Sequence, residues 1–147
     1  MRMLTILSVL LCLVFQSEAQ KTSLTSGIVG QVTWKSGNQM PSPDRPIKAA
    51  KGIKREVWIY ELTPQSQTEQ LDGFYQRIRT KRVAKVVTNR QGKFKVKLAP
   101  GTYSIFTKEH RGLWANISDG DGNVYPITVE AGKYTPVQFE INYAAAF

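Results

Sequence analysis

Hydrophobic and polar residues alternate along much of this chain with the period of two that marks a strand buried on one face. The clearest stretch has Phe94, Val96 and Leu98 alternating with Lys93, Lys95 and Lys97. A polar turn, Asn89–Gly92, precedes it; Pro100-Gly101 then reverses the chain, and Tyr103 and Ile105 resume the alternation. Gly27–Trp34 reads as the first strand, with Ile28, Gly30, Val32 and Trp34 on one face. Val57–Leu62, rich in β-branched and aromatic residues, is a second strand, and Arg82–Thr88 a third. Leu113–Ile117 and Val124–Glu130 are expected to pair across the Ser118–Asn123 turn, and Val137–Tyr143 to close the domain, with Ala144–Phe147 as a tail. The prolines at 41, 43 and 46 make Gln39–Ala50 a loop or weak edge segment.

Thr63–Arg82 carries two conflicting patterns. Ser66–Glu69 has the form of a helix capping box, with Leu71, Phe74, Tyr75 and Ile78 following at helical spacing. Asp72-Gly73 interrupts that helix and is itself a turn signal. The reading adopted is a long excursion that rejoins the sheet near Arg79, with room for a short helical turn. About eight short strands with turns every 8–12 residues predict an all-β fold, an antiparallel Greek-key sandwich of seven to eight strands.

Residues 1–19 stand apart from this pattern. Arg2 precedes an almost wholly apolar run from Leu4 to Phe15, and Ser17-Glu18-Ala19 places small residues where a signal peptidase reads. The run is shorter than the roughly 20 residues of a spanning helix, so cleavage after Ala19 is expected rather than anchoring. Leu11 fits poorly before the lone cysteine, Cys12, which argues against lipidation. The expected product is periplasmic or secreted, with a loose leader at residues 20–26, one domain at 27–143 and no disulfide. Loss of Arg2 and Glu18 leaves the net charge of +9 unchanged. In an exported protein such a charge is expected to face anionic glycans, lipid headgroups or an acidic protein rather than nucleic acid. Lysines on an exposed strand face also keep that face soluble and deter edge pairing.

Several features taken in order resemble the carboxypeptidase regulatory-like domain, a transthyretin-like (prealbumin-like) sandwich of exported bacterial proteins. They are Gly27–Val32, Val57–Tyr60, Thr88–Gly92 with Phe94, and Leu98-Ala99-Pro100-Gly101-Thr102-Tyr103. The resemblance covers most of residues 27–141. It implies a non-catalytic module used for adhesion, docking or support of a neighbour, with Phe94, Leu98, Tyr103 and Ile105 filling the core. Peptidase activity is not implied, since His110 is the only histidine.

Four candidate sites remain. Asp119, Asp121 and Asn123 place oxygens at positions one, three and five of a loop, with the Tyr125 carbonyl at seven and Glu130 at twelve, which is calcium-loop spacing. Val124 replaces the glycine required at six, so an ordinary hairpin turn is the preferred reading. Trp114 and Tyr125 flank the same turn and are the rings expected to stack on a carbohydrate, if any do. Lys35 and Asn142, on the first and last strands, suit an internal isopeptide bond of the kind found in adhesins that resemble this chain. Thr107 stands where those adhesins place the catalytic glutamate, with Glu109 two residues on. Finally, Arg77, Arg79, Lys81 and Arg82 lie near Phe74 and Tyr75, as an anion-binding cluster or a solvated edge; His110 reads as a turn residue. The function expected is a binding or structural accessory module of the cell envelope that engages a glycan or a protein. The alternative is an adhesin-type module stabilised by calcium or an isopeptide bond.

Overall fold

A computed structural model of the chain describes residues 25–147; the expected signal peptide and most of the leader lie outside the described residues. Among the described residues eleven strands form two sheets packed as a β-sandwich. The strands are β1 (Gly27–Asn38), β2 (Lys51–Gly52), β3 (Glu56–Glu61), β4 (Thr68–Leu71), β5 (Phe74–Ile78), β6 (Arg82–Val87), β7 (Lys93–Lys97), β8 (Gly101–Glu109), β9 (Gly112–Trp114), β10 (Pro126–Val129) and β11 (Tyr134–Ala146).

In the four-stranded sheet β1 is central. It pairs with β11 on one side and with β7 and then β2 on the other. The β1–β11 pair is parallel, whereas every other strand pair is antiparallel. The seven-stranded sheet runs β4-β5-β9-β8-β3-β6, with β10 also on β8. The period-two expectation holds where it was strongest. Ile28 and Val32 of β1, Val57 and Ile59 of β3, Ile105 of β8, and Phe139 and Ile141 of β11 are all 0% exposed and meet between the sheets. Phe94 and Leu98 join that core; Tyr103 is only half-buried, and its hydroxyl donates to the Ala99 carbonyl at 2.6 Å across the Pro-Gly turn.

The sequence reading needs correction in three places. Thr63–Arg82 is not a long excursion but a hairpin, β4–β5, entered through a single 3-10 turn at Gln65–Gln67. Asp72 and Gly73 adopt φ of 53° and 82°, the two left-handed residues of a tight hairpin turn, so Leu71 ends up 63% exposed while Phe74 and Tyr75 are buried. The chain thus re-enters the sheet at Phe74, not near Arg79. Second, β9 and β10 do not pair; between them the chain makes only an isolated bridge, Ser118 to Val124. Tyr125 takes φ of 35°, which turns the chain so that β10 lies against the first half of β8 while β9 lies against its last residues. Third, the domain is longer than expected at both ends. Ser26 is already locked to Leu98 by two hydrogen bonds, and Ala144–Ala146 pair with Ser36–Asn38.

Alternation places Trp58, Tyr60, Phe106 and Lys108 on the outer face of the larger sheet, opposite Val57, Ile59 and Thr107. Phe106 is nonetheless fully buried and packs edge-on against Tyr60 and Tyr75. Two crossing segments account for this: Val124 N–H donates to the Thr63 carbonyl, Gln65 N–H to the Gly122 carbonyl, and the Gln65 amide to the Tyr75 hydroxyl. They roof one half of the outer face. The half around Trp58 stays open.

Candidate functional site

The turn expected to carry calcium is closed on itself. Asp119 Oδ1 accepts from the backbone N–H of Asp121 and Asn123 at 3.0 and 2.8 Å, and Oδ2 accepts from the Asn123 amide at 2.9 Å. The Asn123 side chain first, then the backbone bonds, hold the Asp119 carboxyl below the usual carboxylate range. Glu130 stands at the far end of β10 and pairs with Lys133 instead. Among the described residues no three His, Cys, Asp or Glu side chains gather around a common point. The arrangement is that of a capped turn.

The two aromatic candidates separate. Tyr125 is a core residue, 5% exposed, stacked on Phe139 at 4.7 Å with its hydroxyl donating to the Gln138 carbonyl. Its ring presents no face to a sugar, which corrects its place in the expected glycan platform. Trp114 is half-buried at the margin of the same core, in a separate cluster of rings, at 5.4 Å from Phe74 and 5.1 Å from Tyr143, which also packs on Trp34. Both rings are packing elements first.

That second cluster surrounds a buried acid. Glu109, with its side chain 2% exposed, accepts from Arg55 Nε through both oxygens at 3.3 Å and from the Tyr143 hydroxyl at 2.9 Å. Burial pushes the Tyr143 hydroxyl up to about 12, aided by the hydrogen bond and charge of Glu109. Burial alone pushes Tyr125 up to about 12. A hydroxyl raised above its ordinary 10.0 contributes stability that is complete below pH 10 and lost as pH climbs towards 12. An ultraviolet difference titration should therefore show at least two of the six tyrosines ionising only near pH 12, together with unfolding. Full ionisation of all six near pH 10 would contradict this packing.

Glu109 is therefore not poised beside Lys35 and Asn142, and Thr107 is buried on the same inner face. Lys35 and Asn142 do come together, with Glu140 between them, at 4.0 Å from the Lys35 amine and 3.4 Å from the Asn142 amide. The Lys35 and Glu140 side chains are 23% and 37% exposed, however. The pair is thus open to water, whereas amide formation needs an acid/base catalyst enclosed with the reacting amine. The intact mass of the purified protein should equal the unmodified sum of its residues; a deficit of one ammonia would restore the isopeptide bond.

The arginine cluster also divides. Arg77 and Arg79 pair with Glu69 across the β4–β5 hairpin at 3.8 and 2.7 Å. Arg82 turns instead onto the ring of Trp58, its guanidinium carbon 4.6 Å from the ring centroid. His110 occupies the exposed β8–β9 turn, as expected.

Sequence reading missed what gathers at Trp58. Lys85 and Lys108 approach the same ring at 5.8 and 5.9 Å. Glu56 accepts from the indole N–H at 3.0 Å and from the Lys85 amine at 3.3 Å, which fixes the ring, and these two bonds hold its carboxyl below the usual range. Beside it lies an open depression of about 540 Å³ lined by Lys54, Arg55, Glu56, Val87 and Lys108. Glu56, Trp58, Arg82, Lys85 and Lys108 come from three neighbouring strands, so only the pairing register brings them together. No helix among the described residues is long and apolar enough to cross a membrane. Compared with protein-family models, with curated proteins and with solved structures, the chain finds no match.

Proposed function

We propose that this chain is a non-catalytic binding module, exported to the cell envelope, that engages a glycan or a protein through the open half of the outer face of its larger sheet. The observation that carries this reading is the Trp58 constellation: a half-buried indole, held by Glu56, with three cations arrayed around it on an unroofed sheet face. A single exposed tryptophan needs no explanation, but a fixed ring with converging charges from three strands is a formed surface. The turn-and-strand signature shared with carboxypeptidase regulatory-like domains, and the leader read from residues 1–19, point the same way. The adhesin-type alternative is the weaker one, because Asp119 uses its oxygens on its own turn and Lys35 and Glu140 are only partly buried.

A glycan array probed with the purified protein tests this reading. Signal should be lost in Trp58→Ala and retained in Trp114→Ala, with both variants checked by thermal melting. Signal that vanishes only with Trp114→Ala, or signal with no dependence on either ring, would count against the Trp58 face.

A further inference from the structure

Several cations of this basic chain lie over an aromatic ring, Lys95 on Tyr134 and Arg111 on Phe74 among them, but three share the ring of Trp58. Lys93, Lys95 and Lys97 of β7, for example, lie in a row along one strand. Arg82, Lys85 and Lys108 instead converge from β6 and β8 onto a ring of the strand between them. Neighbouring strands are about 4.8 Å apart and Lys108 lies two residues along from the partner of Trp58 on β8, so Lys85 and Lys108 are rooted roughly 12 Å from each other. Lys54, by the adjoining depression, extends the charge beyond Lys108. Among the described residues the ion pairs engage Lys85 but neither Arg82 nor Lys108. Two of the three cations therefore lie over an aromatic ring without a direct ion pair to a carboxylate. A guanidinium stacked on an indole keeps its planar fork of N–H donors directed outward, the geometry that binds carboxylate and sulfate through two parallel bonds.

The shape of the surface narrows the ligand. It is a nearly flat sheet face rather than a projecting helix or ribbon, so it does not enter the groove of a duplex. Its one ring is occupied by cations, which leaves no open face for the base stacking of single strands. The adjoining depression has Val87 as its one apolar side chain, and β6 exposes only Val83 besides, which makes no apolar face to insert among lipids. A flat track of spaced cations suits a chain that carries anions at intervals and lies along it. We propose that the Trp58 face binds an acidic polysaccharide, its carboxylate or sulfate groups taken by Arg82, Lys85 and Lys108. This inference rests on the binding-module reading and adds the class of ligand.

The test is a calorimetric titration of the whole protein with polygalacturonate, heparin, neutral dextran, phosphatidylglycerol vesicles and an oligodeoxythymidylate. Binding to polygalacturonate or heparin is expected, weakening as salt rises. The Arg82→Ala/Lys108→Ala pair should weaken it about tenfold or more, with an unchanged melting temperature, since both side chains are surface groups. Removing more charge at Lys93, Lys95 and Lys97 together should change it less than about twofold. Equal loss in the two variants would reduce the effect to net charge and overturn the proposal. So would tighter binding to the vesicles or the oligonucleotide, or no binding to either acidic polymer. Binding to dextran alone, lost in Trp58→Ala, would overturn the acidic ligand and leave the binding module standing.

Discussion

Gly92→Ala should lower stability by about 3 kcal/mol or more, a large share of the total for a domain of this size. Gly92 has φ of 79°, a conformation that costs a side-chain-bearing residue about 1 kcal/mol. A Cβ there would also stand 2.0 Å from the Val32 carbonyl oxygen and 3.0 Å from the Ile53 backbone nitrogen. Both obstacles are backbone, and the Val32 N–H itself donates to the Gly92 carbonyl at 2.8 Å, so relief requires β1 and β7 to part. Two controls separate the causes. Gly132 shares the left-handed backbone, φ 77°, but has open space around it, so Gly132→Ala should cost only about 1 kcal/mol. Gly120 has neither constraint, and its alanine variant should stay within about 0.5 kcal/mol. Urea unfolding of the three variants gives the ranking. Equal losses at Gly92 and Gly132 would remove the close approach to β1 from the account.

The second large effect is expected at Glu109. Glu109→Ala strands the Arg55 guanidinium and the Tyr143 hydroxyl, and should cost about 2–3 kcal/mol. The figure lies below that for a wholly buried pair because the Arg55 side chain is 34% exposed and can turn to water. Glu109→Gln keeps an acceptor and should cost less. It also removes the charge that helps raise Tyr143, so in this variant Tyr143 should ionise at lower pH while Tyr125, raised by burial alone, stays where it was. Parallel movement of both tyrosines would mean general loosening instead of a local contact.

What the sequence made legible follows from the range of the forces involved. The sandwich was readable because Phe94, Val96 and Leu98, or Ile28 and Val32, declare their buried face within a few residues. The turn at Asn89 was readable for the same reason: its side chain caps the N–H groups of Gln91 and Lys93. At Thr63–Arg82 two local signals conflicted, and the backbone demand of Asp72-Gly73 prevailed over helical spacing. The pairing of β10 with β8 was not readable, since it depends on a left-handed Tyr125, a conformation that tyrosine seldom adopts. The candidate site failed in the same way. Trp114, Tyr125 and Asp119 were chosen for being close along the chain, yet the fold packs both rings on the core with different ring partners. Trp58, Arg82, Lys85 and Lys108 span 51 positions and share nothing in sequence beyond a parity that matters only once β6, β3 and β8 are in register. One sign was available: Val57–Leu62 alternates large residues on both faces, so Trp58 and Tyr60 had to meet something on the far side from Val57 and Ile59.

The central claim, that ligand is received on the Trp58 face, is tested most directly by amide and indole resonances recorded while polygalacturonate is added. The Trp58 indole N–H, held by Glu56, should shift together with the backbone signals of Arg82, Lys85 and Lys108, while those of Asp119–Asn123 and of Lys93–Lys97 stay in place. Shifts centred on the Asp119 turn, or spread evenly over the lysines of β7, would contradict it.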